Sequence, residues 1–155
     1  MFSNRKFKVI FTWLLVVIWM MLINRLSAQP ASQSKELSSA VTETIVKTVE
    51  KVVPEFDFRL DTFNHLVRKN AHFFIYLVLA ILIMNALSKS GGWRLRNFTL
   101  ALGICILYAI SDEIHQLVVP GRGGQVKDVF IDSLGSLFGI VIYLIVVRKK
   151  QRSQE

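Results

Sequence analysis

Cysteine is almost missing from this chain of 155 residues. Cys105 stands alone inside an apolar stretch, so no intrachain disulfide can form and no cysteine-based metal spacing exists. Gly-x-Ser-x-Gly and His-Glu-x-x-His are also absent, which removes two common hydrolase readings. There is no internal repeat and no low-complexity tract. Polar stripes are lacking from two long apolar blocks, residues 7–23 and 129–147. A water-soluble helical bundle needs such stripes. The basic excess, 19 Lys and Arg against 11 acids, gathers at the ends of apolar blocks. A nucleic-acid binder would collect it on one soluble face.

What is present is hydrophobic length. Blocks 7–23, 71–87, 98–119 and 129–147 each suit the helix of ~20 residues that crosses a bilayer core. The chain therefore reads as one all-α domain, a polytopic integral membrane protein with four transmembrane helices. Arg5, Lys6 and Lys8 precede the first block, and Lys89, Arg94 and Arg96 fill the second connection. Arg148, Lys149, Lys150 and Arg152 follow the fourth block. The excess of positive charge on one side predicts that both termini are cytoplasmic. The segment 24–70 and the loop 120–128 then face outward.

The first block begins like a secretory signal, but it is longer than a usual signal core. Leu26-Ser27-Ala28 is also a poor cleavage site, so retention is expected. Beyond it, residues 27–39 read as loop. Residues 41–53 carry a helical stripe, Val41, Ile45, Val49 and Val52, which Pro54 ends. That segment reads as a surface-lying spacer.

The polar residues inside the apolar blocks carry the functional information. Ionisable groups within a spanning helix cost roughly 2.5–3.5 kcal/mol each on insertion scales. They persist where they pair, face a polar cavity or do chemistry. On the second span Arg68, His72 and Tyr76 recur at i, i+4 and i+8, with Lys69 beside them. On the third, Tyr108, Asp112, His115 and Val119 share a face, with Glu113 and Gln116 on the adjacent stripe. On the fourth, Asp128, Asp132, Gly135, Ser136 and Gly139 follow one face. Asp128 is placed as an N-cap, and Gly135-xxx-Gly139 is a small-xxx-small packing pattern. By the helical rise, the acids and histidines of all three helices fall within ~10 Å of the outer surface. That agreement in depth predicts one outward-facing pocket, with Arg68 or Arg122 near an acid.

Several chemistries suit such a set. His72, His115 and Glu113 could hold a divalent cation, although their spacing is a weak metal pattern. Asp112, Glu113 and His115 are candidates for general acid/base work. Gly121-Arg122-Gly123-Gly124 could meet a phosphate, or simply turn the chain between antiparallel spans.

Three motifs together resemble a known family. Arg68-Lys69-Asn70-Ala71-His72-Phe73-Phe74-Ile75-Tyr76 resembles the Arg-Lys-x-x-His-Phe-x-x-Tyr motif of VanZ-like membrane proteins. Asp112-Glu113-Ile114-His115-Gln116, running on to Pro120-Gly121-Arg122, is similar to that family's Asp-Glu-x-His-Gln segment. Lys127-Asp128 through Asp132-Ser133-Leu134-Gly135 is similar to its Asp-x-x-x-Asp-x-x-Gly segment. Ser27-Ala28-Gln29-Pro30 resembles the usual sequel to the first span, with Ala28 in place of a common Ser. The family takes its name from a protein that confers low-level resistance to the glycopeptide teicoplanin. The resemblance implies a bacterial cell-envelope role in the cytoplasmic membrane.

The leading expectation is a pocket for a lipid or lipoglycopeptide-type amphiphile. Its residues are Arg68, Lys69, His72, Tyr76, Asp112, Glu113, His115, Gln116, Arg122, Asp128 and Asp132. The expected partners are membrane lipids or a lipid-linked envelope precursor, with no nucleic acid. The rival is a membrane-embedded acid/base or metal-assisted hydrolase or transferase acting on a lipid-linked substrate. A helper subunit or proton-coupled transporter is a third reading, but four spans are few for one and no half-helix repeat is visible.

Overall fold

The computed structural model describes residues 2–30, 60–91 and 94–152, with Ser32, Glu36 and Ser39 as isolated positions. The helical stripe expected at 41–53 lies outside the described residues. Four helices run through those described: α1 (Phe2–Ser27), α2 (Leu60–Ser90), α3 (Arg94–Gln116) and α4 (Val126–Arg152). Each contains a stretch long and apolar enough to cross a membrane: Asn4–Ser27, Lys69–Ser90, Leu95–Gln116 and Val126–Val147. The chain is an all-α, multi-pass membrane protein.

Its surface is inverted relative to a soluble domain. Phe7, Leu107 and Phe130 are 68%, 69% and 68% exposed, while Asp112 and Asp132 are 3% and 0% exposed. In water such an apolar exterior would drive association. In a bilayer it is the surface that lipid solvates, and the polar side chains withdraw inward.

α2 is the centre of the bundle. It packs against α1, α3 and α4, most extensively against α4, whereas α1 and α3 touch sparsely. The glycines of α4 explain the close α2–α4 approach. A Cβ added at Gly135 would overlap the carbonyl of Phe73, and one at Gly139 the carbonyl of Leu77. The expected small-xxx-small packing is thus present, with α2 as the partner. Ala80, Ala101, Cys105 and Ala109, all fully buried, keep the rest of the interior thin. Trp19 on α1 donates its indole N–H to the Ile75 carbonyl of α2 at 3.0 Å. Trp13 donates to Ser90 Oγ at 3.2 Å, so the start of α1 lies beside the end of α2. α1 and α2 therefore run antiparallel, whereas α2 and α4, in contact at Phe73–Gly135 and Leu77–Gly139, run parallel.

Three expected boundaries shift. The second helix begins at Leu60, well before residue 71, so part of the presumed outer segment is helical. The third ends at Gln116 rather than Val119. The amides of Leu117, Val118 and Val119 each bond three residues back, to Ile114, His115 and Gln116. These tighter 3₁₀-type turns close the helix before Pro120, which cannot donate to continue it. The fourth begins at Val126, so Asp128 is not an N-cap. It lies in the first turn of α4, where the helix dipole still favours a carboxylate. Asp128 N bonds back to Gln125 O at 2.8 Å.

Candidate functional site

Four helix ends meet at one end of the bundle: the last turn of α1, the start of the α2 span, the last turn of α3 and the first turns of α4. By a rise of ~1.5 Å per residue, Asp112 lies about 6 Å below the end of α3 and Asp132 about 9 Å below the start of α4. Ser27 marks the end of α1. The buried acids among the described residues, Asp112, Glu113 and Asp132, all lie here.

A narrow crevice opens among these ends. It is lined by Lys69, His72, Gln116, Arg122, Asp128, Ile131 and Asp132. Its free volume is about 10 Å³, room for roughly one water. Two charge contacts cross from α2 to α4. Lys69 Nζ lies 3.2 Å from Asp128 Oδ1 at the mouth, both side chains partly exposed. One turn deeper, His72 Nδ1 lies 3.7 Å from Asp132 Oδ1. That separation is within ion-pair range but too long for a direct hydrogen bond. Neither carboxylate oxygen of Asp132 has a hydrogen-bond partner, and the hydroxyl of Tyr76, one further turn along α2, has none either. Unpartnered groups at this depth are costly. A proton, a water or a ligand group would relieve them.

Asp112 stands behind the crevice. Its Oδ2 accepts from Ser27 Oγ at 2.7 Å and from Gln116 Nε2 at 3.3 Å. Gln116 therefore joins the crevice to Asp112, and Ser27 joins Asp112 to α1. The Oδ1 atom of Asp112 is buried without a partner. Arg122 closes the top, with Nη2 donating to the Leu26 carbonyl at 3.5 Å. Glu113 does another job. Its Oε2 accepts the backbone N–H of Gln125 at 2.7 Å, so it ties the end of the loop, just before α4, back onto α3. Gly124 packs against this tie, where a Cβ would meet Leu117 Cδ2 and the Glu113 carbonyl at 2.9 and 3.1 Å.

The expected residues thus divide. Lys69, His72, Gln116, Arg122, Asp128 and Asp132 share the crevice, Asp112 is one hydrogen bond behind it, and Tyr76 is below it. Glu113 and His115 do not line it. Glu113 is occupied by the Gln125 amide of the loop. Arg68 lies on α2, but its side chain is outside the described residues. A Lys–Asp pair, Lys69–Asp128, bridges α2 and α4, a partner choice the expectation for Arg68 or Arg122 did not contain. Among the described residues, no three of His, Cys, Asp and Glu converge as a metal-holding group. The proposed set His72, His115 and Glu113 is not assembled, because His72 faces α4 while Glu113 turns to the loop.

Ser27 is the residue that sequence reasoning missed. It was expected to open a loop, yet it is the last residue of α1 and 1% exposed. A lone serine at the end of an apolar span gave no signal of its own.

Chemically, the site is amphoteric. Lys69, Arg122 and the Asp128 carboxylate stand at the mouth, and the His72 imidazole and the Asp132 carboxylate lie one turn deeper. It can meet an anionic group at the surface and exchange protons below.

A family model described as VanZ/LLP1 matches residues 11–147, which spans all four helices and every residue of the crevice. No curated protein and no solved structure matches the chain. The chain belongs to the VanZ/LLP1 family.

Proposed function

We propose that this VanZ/LLP1-family membrane protein binds the polar head group of an amphiphile at the outer face of the cytoplasmic membrane. Both termini are then cytoplasmic, as the distribution of Lys and Arg predicts. The ligand is a lipid or a lipoglycopeptide-type molecule, and its capture contributes to tolerance of teicoplanin-like antibiotics. One observation carries this reading: Lys69, His72, Gln116, Arg122, Asp128 and Asp132, from three helices and one loop, surround a single crevice within otherwise apolar spans. Burying such groups without a use would cost the bundle stability. With room for only about one water, the crevice receives a head group at its mouth, where Lys69 and Arg122 stand. Deeper entry requires Arg122 to swing from the Leu26 carbonyl.

The enzyme reading is favoured by the His72–Asp132 pair, 3.7 Å apart with Asp132 otherwise unpartnered. An imidazole and a buried carboxylate so placed form an acid/base pair.

Isosteric amides test the site. Asp112→Asn and Asp132→Asn keep shape while removing charge. Teicoplanin tolerance of cells, normalised to the amount of protein in the membrane, is expected to fall at normal abundance. Full tolerance at normal abundance in both variants would sink the proposal. A fall in abundance alone would mark the acids as structural counter-charges, whose loss strands a buried cation at a cost of roughly 3–5 kcal/mol. Turnover of a lipid-linked substrate by wild type, lost by ~10²–10⁴-fold in His72→Ala, would favour the enzyme over the binder.

A further inference from the structure

The outer end of α1 borders a second feature that the crevice does not use. α1 and α3 touch sparsely, and Tyr108 bridges the gap by donating its hydroxyl to the Met20 carbonyl. Beside this bridge lies an open groove of about 600 Å³ lined by Val17, Met20, Met21, Asn24, Arg25 and Tyr108. These positions belong to the spans of α1 and α3, so the groove opens sideways into the bilayer. Its lining changes along α1. It is apolar as far as Met21, then carries Asn24 and the exposed Arg25 in the last turn. No acid lines it among the described residues. An apolar channel with one cation at its head-group end complements a molecule with an acyl chain and an anionic head.

We propose that this groove docks an anionic phospholipid, with one acyl chain along Val17, Met20 and Met21 and the phosphate at Arg25 and Asn24. The chain replaces the protein contacts that α1 and α3 do not make, and the guanidinium offers charge-assisted hydrogen bonds to the phosphate. The head group then sits two residues from Ser27, the side chain that holds Asp112. In its link to function this rests on the head-group reading above; the docking itself depends on the groove alone.

The test uses the full-length protein, purified and observed by native mass spectrometry after exposure to phosphatidylglycerol or phosphatidylcholine of identical acyl chains. Wild type is expected to retain phosphatidylglycerol over phosphatidylcholine. Arg25→Gln should lower phosphatidylglycerol retention about five-fold, the effect of one basic residue at an anionic lipid surface, with phosphatidylcholine unchanged. Val17→Phe, which fills the groove, should lower both. Val146→Ala, exposed on α4 and outside both the groove and the crevice, should lower neither. Equal retention of the two lipids by wild type would overturn the proposal. So would wild-type retention in both Arg25→Gln and Val17→Phe, or a dimer that carries no lipid, which would put a second copy in the groove. Lost antibiotic tolerance in Asp112→Asn, together with unaltered lipid retention in the groove variants, would remove the groove and leave the crevice reading. Groove-dependent retention with full tolerance in the amide variants would do the reverse.

Discussion

His72 Nδ1 faces Asp132 Oδ1 at 3.7 Å across the α2–α4 interface, one residue before Phe73 and three before Gly135. Those two neighbours set the separation, since Gly135 lets the backbone of α4 rest on the carbonyl of Phe73. Packing and site geometry are therefore one feature. Gly135→Ala places a methyl inside that carbonyl and must push the helices apart. Overpacking of this kind costs roughly 1–3 kcal/mol. The purified protein should show a lower thermal midpoint, with Ser133→Ala close to wild type. An unchanged midpoint for Gly135→Ala would mean the helices are not in backbone contact.

Ser27 and Asp112 tie α1 to α3 where few other contacts do. A hydrogen bond to a charged group contributes about 1.5–3 kcal/mol. Ser27→Ala should lower the unfolding midpoint in detergent, and should lower it less when Asp112→Asn is already present. A double-mutant cycle on thermal or denaturant unfolding in detergent measures this coupling. Strict additivity would show that the two side chains act independently.

Lys69 and Asp128 form the outer bridge between α2 and α4, with both side chains partly exposed. Lys69→Asp alone sets two acids side by side above Asp132 and should lower protein abundance in the membrane. The exchange Lys69→Asp with Asp128→Lys restores opposite charge and should recover most of it. Quantitative immunoblotting of membrane fractions reads the outcome, and no recovery in the exchanged pair would deny the bridge a stabilising role. The gain from the bridge itself is modest, about 1 kcal/mol or less for solvent-touched pairs.

Orientation is read directly by cysteine labelling. In a Cys105→Ala background, a cysteine at the exposed Gly123 should react with an impermeant maleimide in intact cells, and one at Ser90 should not. The opposite pattern would invert the topology and place the crevice on the cytoplasmic side.

The sequence by itself determined the class of this protein, its four spans and the depth of its polar groups. Hydrophobic length and helical period are local properties, and each block carries its own. His72, Asp112 and Asp132 could be placed near one surface because helical rise converts sequence spacing into depth. The Gly135–Gly139 stripe announced a close packing face for the same reason. Rotation and partner choice were decided only by the tertiary structure. Sequence spacing gives the angle between residues on one helix, not the neighbour that the face meets. The structure turns Glu113 to the Gln125 amide, sets Lys69 on Asp128, and leaves His115 off the crevice. It also ends α3 at Gln116 and starts α4 at Val126, because the loop and its proline compete with the last helical turn. Ser27 joined the site by the same logic. A lone serine at a span end carries no signal until the bundle brings Asp112, 85 residues away in sequence, to 2.7 Å.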